Sequence, residues 1–331
     1  MIFLICVVSV TSLVIVVRKF QAIGLAVDNF RLLMQISHTG VTIGPTAVVV
    51  SSDRPTVAFH GSLIKSSDQL ADVNTSSTLC LKVNVGGMTF PICTYEPAKD
   101  VWVSKAFTDG KYYEQDVVVR FIRLLRRYND LEFVDLGANI GTFTLPAARI
   151  THVVAVEPYS GSMARLFKSV QLGGVEKNVS LVYNAMSNVR STYTLGFYSD
   201  NVGGTYLKSL EAVNMTDCRN GSCTRTILLD DLLPLMRGRR AVMKVDIEGH
   251  QPQVFTNSTA AKFFDLIDVP LLVMEFGLCR QQNVSSEVLD LVRFFTERQY
   301  QVFSRDNRRL GANCRQWGGD VIFTKLQTRE F

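Results

Sequence analysis

Three carboxylates each end a short apolar run of the kind that forms a buried strand. They are Glu157, Asp246 and Glu275, and the runs before them are residues 152–156, 241–245 and 271–274. Because the carboxyl ends of parallel strands meet at one edge of a sheet, we expect the three acids to converge on one crevice. Carboxylates gathered there could hold a hydroxyl, accept its proton or bind a cation.

Two further candidates follow Asp246 directly, in the segment Asp246-Ile247-Glu248-Gly249-His250. We expect Asp246 to contact a reacting hydroxyl, with Glu248, His250 or Glu275 as the assisting base. An unperturbed pKa near ~6.5 suits a histidine base, although a histidine at a helix start more often caps or packs. Asp246 could likewise be a helix N-cap. A magnesium-like ion on Asp246 and Glu275 is an alternative that the sequence does not show, so no metal site is predicted.

The stretch from residue 131 to residue 157 contains the elements that would position Glu157. An apolar run ends at Asp135, a turn bracketed by Gly137 and Gly141 follows, and residues 142–150 have apolar side chains at helical spacing. A second β-branched run then leads to Glu157. This order of strand, glycine turn, helix, strand and acid predicts a nucleotide-binding βαβ unit.

The spacing of the glycines indicates which nucleotide binds. A dinucleotide site needs G-x-G-x-x-G to bring the backbone close to a pyrophosphate. Here the pattern is Asp135-x-Gly137-x-x-x-Gly141, without the middle glycine. A ligand with a nucleoside and an amino-acid tail but no phosphate fits this turn better, and S-adenosylmethionine is such a ligand. Glu157 is placed to accept hydrogen bonds from both ribose hydroxyls.

Composition narrows the class of protein. The chain has 331 residues, 47% of them hydrophobic and 20% charged, which suits one large or two small globular domains. A mild net charge of +5, spread along the chain, predicts no nucleic-acid partner. The sequence has no Ser-His-Asp order, Walker A turn or H-E-x-x-H motif, which excludes the corresponding hydrolases, P-loop proteins and zinc proteases.

Residues 1–17 are apolar or small, and Arg18 and Lys19 end the run. We interpret residues 1–19 as a membrane anchor of the signal-anchor type, since no convincing cleavage site follows. The basic pair after the span would place the body in the cytosol by the positive-inside rule. The glycosylation sequons and the cysteines of the chain favour the opposite orientation.

Glycosylation sequons and cysteines favour the secretory lumen. The chain has six N-x-Ser/Thr sequons, at Asn74, Asn178, Asn214, Asn220, Asn257 and Asn283. Cys6 lies in the predicted anchor, and six cysteines remain. They fall in near pairs, Cys80 with Cys93, Cys218 with Cys223 and Cys279 with Cys314, although the sequence cannot choose among fifteen connectivities. We therefore predict a single-pass membrane protein of the Golgi or endoplasmic reticulum with a luminal body.

The remaining pattern gives the domain organisation. Residues 20–77 are predicted to be a stem or irregular lead, with short strands near 47–50. Residues 78–130 are predicted to form a β-hairpin, crossed by a Cys80–Cys93 bridge, and a helix packed on the domain that follows. In residues 131–331 strands alternate with helices, which predicts a mainly parallel, doubly wound α/β sheet with helices on both faces.

Several motifs together resemble the FkbM-type family of S-adenosylmethionine-dependent methyltransferases. They are FVDLGANIGTFTL, VVAVEPY, LLDDLL, MKVDIEGHQPQVF and VMEF, and the upstream DVWVSKAFTDGKYYEQD resembles the lead of animal members. The resemblance implies a Rossmann-like class I fold with a seven-stranded sheet, and O-methylation. It implies cofactor binding by Asp135, Gly137, Asn139, Gly141, Glu157, Asn184 and Asp246. It places Asp246 and Glu248 at the methyl-transfer end, whereas His250 occupies a more variable position.

These features lead to three hypotheses of function. The first is a luminal O-methyltransferase that acts on glycan or sugar-type hydroxyls. The second is a catalytically inactive protein that keeps the fold and uses its cleft for binding. The third is a cytosol-facing methyltransferase of a lipid or small molecule, which the Arg18-Lys19 position favours. The acceptor and the oligomeric state are not predicted.

Overall fold

The computed structural model describes residues 78–208, 223–280, 284–311 and 313–327, and four short strands that precede them. The chain divides into two compact units, Met1–Gly44 and Pro45–Phe331. In the first unit, strands β1 (Ile5–Ser9) and β2 (Ser12–Val16) pair antiparallel. The predicted membrane anchor is not confirmed, because its described backbone forms this strand pair. No helix in the described part of the chain is long and apolar enough to cross a membrane.

A nine-stranded sheet forms the centre of the second unit, in the order β16-β17-β15-β14-β7-β8-β9-β3-β4. Its strands are β3 (Val57–Phe59), β4 (Ser62–Ile64), β7 (Glu132–Leu136), β8 (Val153–Val156), β9 (Val179–Val182), β14 (Arg240–Val245), β15 (Asp268–Glu275), β16 (Gln301–Ser304) and β17 (Asp320–Thr324). Five central strands, from β15 to β9, run parallel, and β17 runs antiparallel to both of its neighbours. The predicted seven-stranded, mostly parallel sheet is confirmed as the strands from β16 to β9.

The two additional strands correct the sequence analysis. Strands β3 and β4 lie in the stretch 20–77 that was predicted to be irregular, and β3 pairs parallel to β9 at the sheet edge. Their three-residue length explains why no periodic pattern marked them. The strands predicted near 47–50 lie outside the described residues.

Helices cover both faces of this sheet because its strands have no polar face. Every residue of β7 and β8 is buried, and alternate side chains enter two different cores: Phe133 joins the first and Val134 the second. The first core packs helices α2 (Gln115–Arg127), α3 (Thr144–Ala148) and α4 (Ser160–Gly173). The second packs α5 (Gln251–Val254), α6 (Ala261–Leu266) and α7 (Ser286–Glu297). Residues Leu229–Leu235 form a 3₁₀ segment, which contains Pro234.

The strand order reverses between β7 and β14. The chain builds β7, β8 and β9 in one direction and then returns to place β14 on the other side of β7. Asp246 N–H, just after β14, donates a hydrogen bond of 2.8 Å to the carbonyl of Leu136 at the end of β7. Open α/β sheets bind ligands outside the carboxyl ends of the strands at such a reversal.

A smaller sheet lies beside the reversal point. It contains β10 (Ala185–Met186), β11 (Thr192–Tyr198), β12 (Asn201–Leu207) and β13 (Cys223–Ile227). β11 and β12 form an antiparallel hairpin, and the turn of that hairpin is joined to the chain before α1 (Val103–Thr108). This junction has two main-chain hydrogen bonds, from Val101 N to Asp200 O (3.0 Å) and from Val202 N to Lys99 O (3.1 Å).

The predicted N-terminal hairpin is present as β5 (Leu79–Val85) and β6 (Met88–Thr94). Cys80 faces Cys93 across it, and the two form the predicted disulfide. Cys279 and Cys314, another of the near pairs, form a second disulfide, a connectivity that the sequence alone left open. The third near pair includes Cys218, which lies outside the described residues. Ser169 fixes the hairpin to helix α4, because its Oγ accepts a hydrogen bond of 2.8 Å from Cys93 N.

Candidate active site

Two neighbouring cavities open at the reversal point. The main cavity has a volume of about 360 Å³ and the smaller one about 40 Å³. Gly137, Gly203, Asp246 and Glu248 line both cavities. The main cavity also contains Asn139, Glu114, Lys244 and Glu275, whereas the smaller contains Glu157, Asn184 and His250. The structure thus divides the predicted site residues between two connected compartments.

The two glycines of the turn are required by packing. Gly137 has φ +85°, and a Cβ there would lie 1.7 Å from the main-chain oxygen of Asp246. Gly141 has φ +101°, and its Cβ would lie 2.6 Å from Leu166 Cδ1. Only glycine lets the end of β7 approach the end of β14 so closely. Gly141 serves the packing of helix α4 and lines neither cavity.

Asn139, at the position of the missing middle glycine, connects the turn to Glu157. Its backbone is left-handed with φ 49°, and its N–H donates a hydrogen bond of 2.8 Å to Glu157 Oε2. Tyr159 N–H donates a second bond of 2.8 Å to Oε1 of the same carboxylate. Burial raises the pKa of Glu157 to about 7, although both N–H groups act in the opposite direction. Glu157 is therefore fixed at the wall of the smaller cavity, where a ribose could donate to it.

Asn184 has an unpaired acceptor in the smaller cavity. The residue is fully buried, and its Nδ2 donates to Arg225 O at 3.2 Å, but its Oδ1 has no hydrogen-bond partner. A buried acceptor of this kind fits the amino group of an adenine. With Glu157 nearby as a ribose acceptor, the smaller cavity has the polar groups that an adenosine needs. An adenosine is larger than this cavity, whose wall includes Gly203, Thr205 and Leu207 of strand β12.

Asp135 has a different environment from the other predicted cofactor residues. It is buried, its Oδ2 accepts a hydrogen bond of 2.6 Å from Thr144 Oγ1, and it lines neither cavity. Burial raises its pKa to about 6. Asp135 therefore ties the end of β7 to helix α3 and acts on the site through the shape of the turn.

Asp246, Glu248 and Glu275 converge in the main cavity. One carboxylate oxygen from each lies within 4.8 Å of the others. Burial raises the pKa of Glu248 to about 7, and the charge of Asp246 adds to this shift. Burial, the neighbouring charges and a hydrogen bond to Asp246 raise the pKa of Glu275 to about 8. Glu275 therefore holds its proton more tightly than a free carboxyl group, and the three carboxyl groups together can take up or release a proton. The same spacing suits a divalent cation, so the magnesium alternative remains a hypothesis.

Backbone strain is concentrated at this cavity. Among the described residues, five non-glycine residues have a positive φ, and Glu114, Asn139 and Glu248 line the main cavity. Left-handed backbone costs a non-glycine residue free energy and persists where the surrounding structure enforces it. Such positions are enriched at functional sites, which supports the assignment of this cavity as the site of chemistry.

Lys244 and Glu114 were not predicted as site residues. Lys244 is fully buried, and its Nζ lies 3.2 Å from Asp246 Oδ2, 3.6 Å from Glu114 Oε2 and 3.7 Å from Asp320 Oδ1. Burial lowers the pKa of Lys244, but the three carboxylates outweigh it and hold the pKa above its ordinary value. Burial raises the pKa of Glu114 to about 8. A lysine inside the apolar run AVMKV was the sequence signal for Lys244, whereas no local pattern distinguished Glu114.

His250 lies in the smaller cavity. Its Nε2 is 3.0 Å from Ser187 Oγ, and its ring meets Tyr193 edge-on at a centroid distance of 5.8 Å. Burial lowers its pKa to about 4, so it is neutral at physiological pH. These contacts favour a packing role at the start of helix α5, the simpler of the two interpretations of this histidine.

The strand order, the glycine turn and the acids at the strand ends define a class I methyltransferase fold. The family model described as "Methyltransferase FkbM domain" matches residues 135–302, which is 168 of the 331 residues. The chain belongs to this family, and its cofactor is S-adenosylmethionine. No curated protein sequence matches the chain.

Several solved methyltransferase structures are similar to the chain at low identity and low TM-score. A putative O-methyltransferase from Klebsiella pneumoniae is 14% identical, with a TM-score of 0.35, over 70% of this chain and 90% of that one. Magnesium protoporphyrin IX methyltransferase from Synechocystis, solved with SAM bound, is 12% identical, with a TM-score of 0.34, over 67% and 82%. A 16S rRNA methyltransferase from T. thermophilus, solved with AdoMet and guanosine, is 15% identical, with a TM-score of 0.37, over 76% and 51%.

Proposed function

We propose that this methyltransferase transfers a methyl group to a hydroxyl of a glycan or sugar-type acceptor in the secretory lumen. The observation that carries the proposal is the main cavity. Its lining contains both the cofactor turn, at Gly137 and Asn139, and the carboxyl groups of Asp246, Glu248 and Glu275. A hydroxyl is a weak nucleophile until it loses its proton, and these carboxyl groups can accept one.

Each residue has a role in this proposal. S-adenosylmethionine supplies a methyl group on a sulfonium when it is bound, and Glu157 and Asn184 hold its adenosine end. Asp246 accepts a hydrogen bond from the acceptor hydroxyl and orients it for in-line attack. As the oxygen gains the methyl group, its proton passes to Asp246 or Glu248. Lys244 keeps Asp246 in place through the contact of 3.2 Å.

The carboxyl groups also bear on the type of acceptor. Glu114, Asp246, Glu248 and Glu275 line the main cavity with a single ammonium group, Lys244, among the lining side chains. An acceptor with a carboxylate or phosphate would find no free cation there, because Lys244 already contacts Asp246, Glu114 and Asp320. A neutral polyhydroxyl compound can donate hydrogen bonds to the same oxygens. This supports a sugar-type acceptor over an anionic lipid or nucleic acid.

A luminal location is part of the proposal. The bridges Cys80–Cys93 and Cys279–Cys314 support it, because disulfides form and persist in oxidising compartments. The six sequons support it independently.

A labelled methyl-transfer assay tests the reaction. The full-length protein is incubated with S-adenosylmethionine labelled on the methyl group and with separate hydroxyl, amine and thiol acceptors, including defined neutral glycans. We expect label on a glycan hydroxyl, with Asp246→Asn as the control against a contaminating enzyme. Cofactor binding without transfer to any acceptor would favour the inactive binding protein, and transfer to an amine would contradict O-methylation.

A further inference from the structure

Two of the three exposed aromatic side chains in the described part of the chain line the main cavity. Eight large hydrophobic residues of the described chain are exposed, and the three aromatic ones are Trp102, Phe197 and Tyr198. Trp102 is 61% exposed and Tyr198 is 51% exposed, and both line the main cavity. Phe197 already packs against Tyr159 at 4.9 Å between ring centroids. Tyr198 packs against Tyr206 at 5.2 Å between ring centroids, but about half of its surface remains exposed. Trp102 and Tyr198 are thus the exposed aromatic residues at the mouth of the main cavity, and we call them the aromatic rim.

The backbone under the aromatic rim is firmly held. The buried carboxylate of Asp100 accepts hydrogen bonds from Val103 N (3.1 Å) and Ser104 N (2.9 Å) and so caps helix α1 next to Trp102. The hydrogen bonds that join Val101 to Asp200 and Val202 to Lys99 connect this segment to the hairpin turn after Tyr198. The two aromatic residues are thus exposed on an ordered support. Leaving such surfaces in water costs free energy, which a ligand that covers them would recover.

Polar side chains line the same cavity as the aromatic rim. Asp246, Glu248 and Glu275 contribute three neighbouring carboxyl groups to the lining. Asn201, beside Tyr198, contributes an amide. A ligand that satisfies both parts needs an apolar face and several hydroxyl donors. A pyranose ring has both, because its C–H bonds form an apolar face and its hydroxyls surround the edge.

We infer that Trp102 and Tyr198 bind the acceptor by packing against the face of a neutral pyranose ring. The carboxyl groups of Asp246, Glu248 and Glu275 hold the hydroxyls of that ring. This inference rests on the proposed function and specifies its acceptor. It requires the ring to be neutral, because Lys244, the one ammonium group in the lining, already contacts three carboxylates and leaves no cation for the carboxylate of a uronic acid.

The tryptophan content of the chain allows binding to be measured without turnover. The chain has two tryptophans, and Trp317 is buried, so Trp102 is the one that acrylamide can quench. The full-length protein, with S-adenosylhomocysteine present, is titrated with maltotriose, mannotriose, xylotriose and N-acetyllactosamine at millimolar concentrations. We expect at least one of them to protect Trp102 from acrylamide. A matched disaccharide that contains glucuronic acid should give no protection.

Variants connect this binding to the acceptor site. Trp102→Ala and Tyr198→Ala should each raise the KM for the sugar by roughly 3- to 10-fold, the size expected for one aromatic contact. The affinity for S-adenosylmethionine should not change, and Trp102→Phe should restore most of the loss because it keeps an aromatic face. Leu172→Ala, an exposed residue of helix α4 outside the cavity lining, is the control and should behave as the parent protein.

The outcomes separate this inference from the proposed function. Failure of every neutral saccharide to protect Trp102 would overturn the aromatic rim as a sugar site, even if methyl transfer to a sugar is observed. Protection by catechol but by no saccharide would also overturn it, in favour of a planar acceptor. Protection by a saccharide with no methyl transfer would support the aromatic rim and contradict the proposed reaction.

Discussion

Lys244 Nζ lies 3.2 Å from Asp246 Oδ2, and the two side chains connect the core of the sheet to the cavity. The side chain of Lys244 is 1% exposed, whereas that of Asp246 is 33% exposed. The same ammonium lies near Glu114 and Asp320, which come from helix α2's N-terminus and strand β17. Arg305 contacts these two carboxylates from the other side, at 3.2 and 3.4 Å. One buried cation therefore holds together carboxylates from three separate elements.

Replacing Lys244 should destabilise the fold. Lys244→Met keeps the length of the side chain but leaves buried carboxylates without their cation, and loss of one partner from a buried ionic group costs roughly 3–5 kcal/mol. The free energy of unfolding from urea titrations measures this. Lys82→Met, on an exposed position of strand β5, is the matched control. A loss for Lys244→Met no larger than that of the control would show that the ammonium is not needed for stability.

Asp246→Asn should remove activity and keep the fold. The amide has the same shape but cannot take up the hydroxyl proton, so turnover should fall by roughly 10²–10⁴, the usual contribution of a positioned base. The affinity for S-adenosylmethionine should change far less, since Glu157 and Asn184, which do not line the main cavity, make the adenosine contacts in the proposed function. Initial rates of methyl transfer and calorimetry measure the two quantities. Near-parent turnover in Asp246→Asn, together with no turnover in His250→Ala, would make the histidine the base.

His250 should make stability depend on pH. Its pKa is about 4 in the folded protein because of burial, against about 6.5 when exposed in the unfolded chain. Between these values the unfolded state binds more protons, so this group's contribution to stability is lost as the pH falls from about 6.5 toward 4. Urea unfolding of the parent and of His250→Gln over this range measures the difference. Parallel stability curves for the two proteins would contradict the burial of a neutral imidazole.

Much of the fold could be predicted from the sequence because its parallel strands are uniformly apolar. Strands β7, β8, β14 and β15 fall where apolar runs ended in acids. The acids Asp246 and Glu275 were found because their strands end at the same sheet edge. Glu157 was found in the same way, but it faces the other cavity.

The rest of the site depends on contacts that are distant in sequence. Glu114 reaches the cavity from the start of helix α2, 130 positions before Lys244, and only the tertiary fold brings them to 3.6 Å. Trp102 and Tyr198 meet at one mouth because two loops share main-chain hydrogen bonds, and backbone pairing of that kind leaves no mark on residue types. Gly141 belongs to a motif that the sequence shows. The reason that a glycine is required there is the close packing of Leu166, which only the fold reveals.

The sequons predict the compartment of the body, and the fold predicts which of them can be glycosylated there. Asn257 is exposed, whereas Asn178 Nδ2 donates a hydrogen bond of 2.9 Å to Ala148 O and its sequon continues into buried strand β9. If the body is luminal, Asn257→Gln should remove one N-glycosidase-sensitive shift in gel mobility, and Asn178→Gln should remove none. Insensitivity of the parent protein to the glycosidase, together with thiols that react freely with an alkylating agent, would place the body in the cytosol.

Glu157 should make cofactor binding depend on pH. Its pKa is about 7 in the folded protein, chiefly because of burial, and ribose hydroxyls donate hydrogen bonds more strongly to the ionised carboxylate. The Kd for S-adenosylmethionine should therefore fall as the pH rises through about 7, with release of a proton on binding.

The isosteric variant Glu157→Gln isolates this effect from the titration of the ligand itself. It should bind more weakly, because each hydrogen bond to a charged group contributes about 1.5–3 kcal/mol, and its Kd should lack the additional pH dependence of the parent. Calorimetry in buffers of different ionisation enthalpy measures both the affinity and the released proton. If the parent and Glu157→Gln show equal affinity and the same pH profile while both remain folded, Glu157 does not contact the ribose. The wall of the smaller cavity would then serve only to fix the turn at Asn139, through the 2.8 Å hydrogen bond from its N–H.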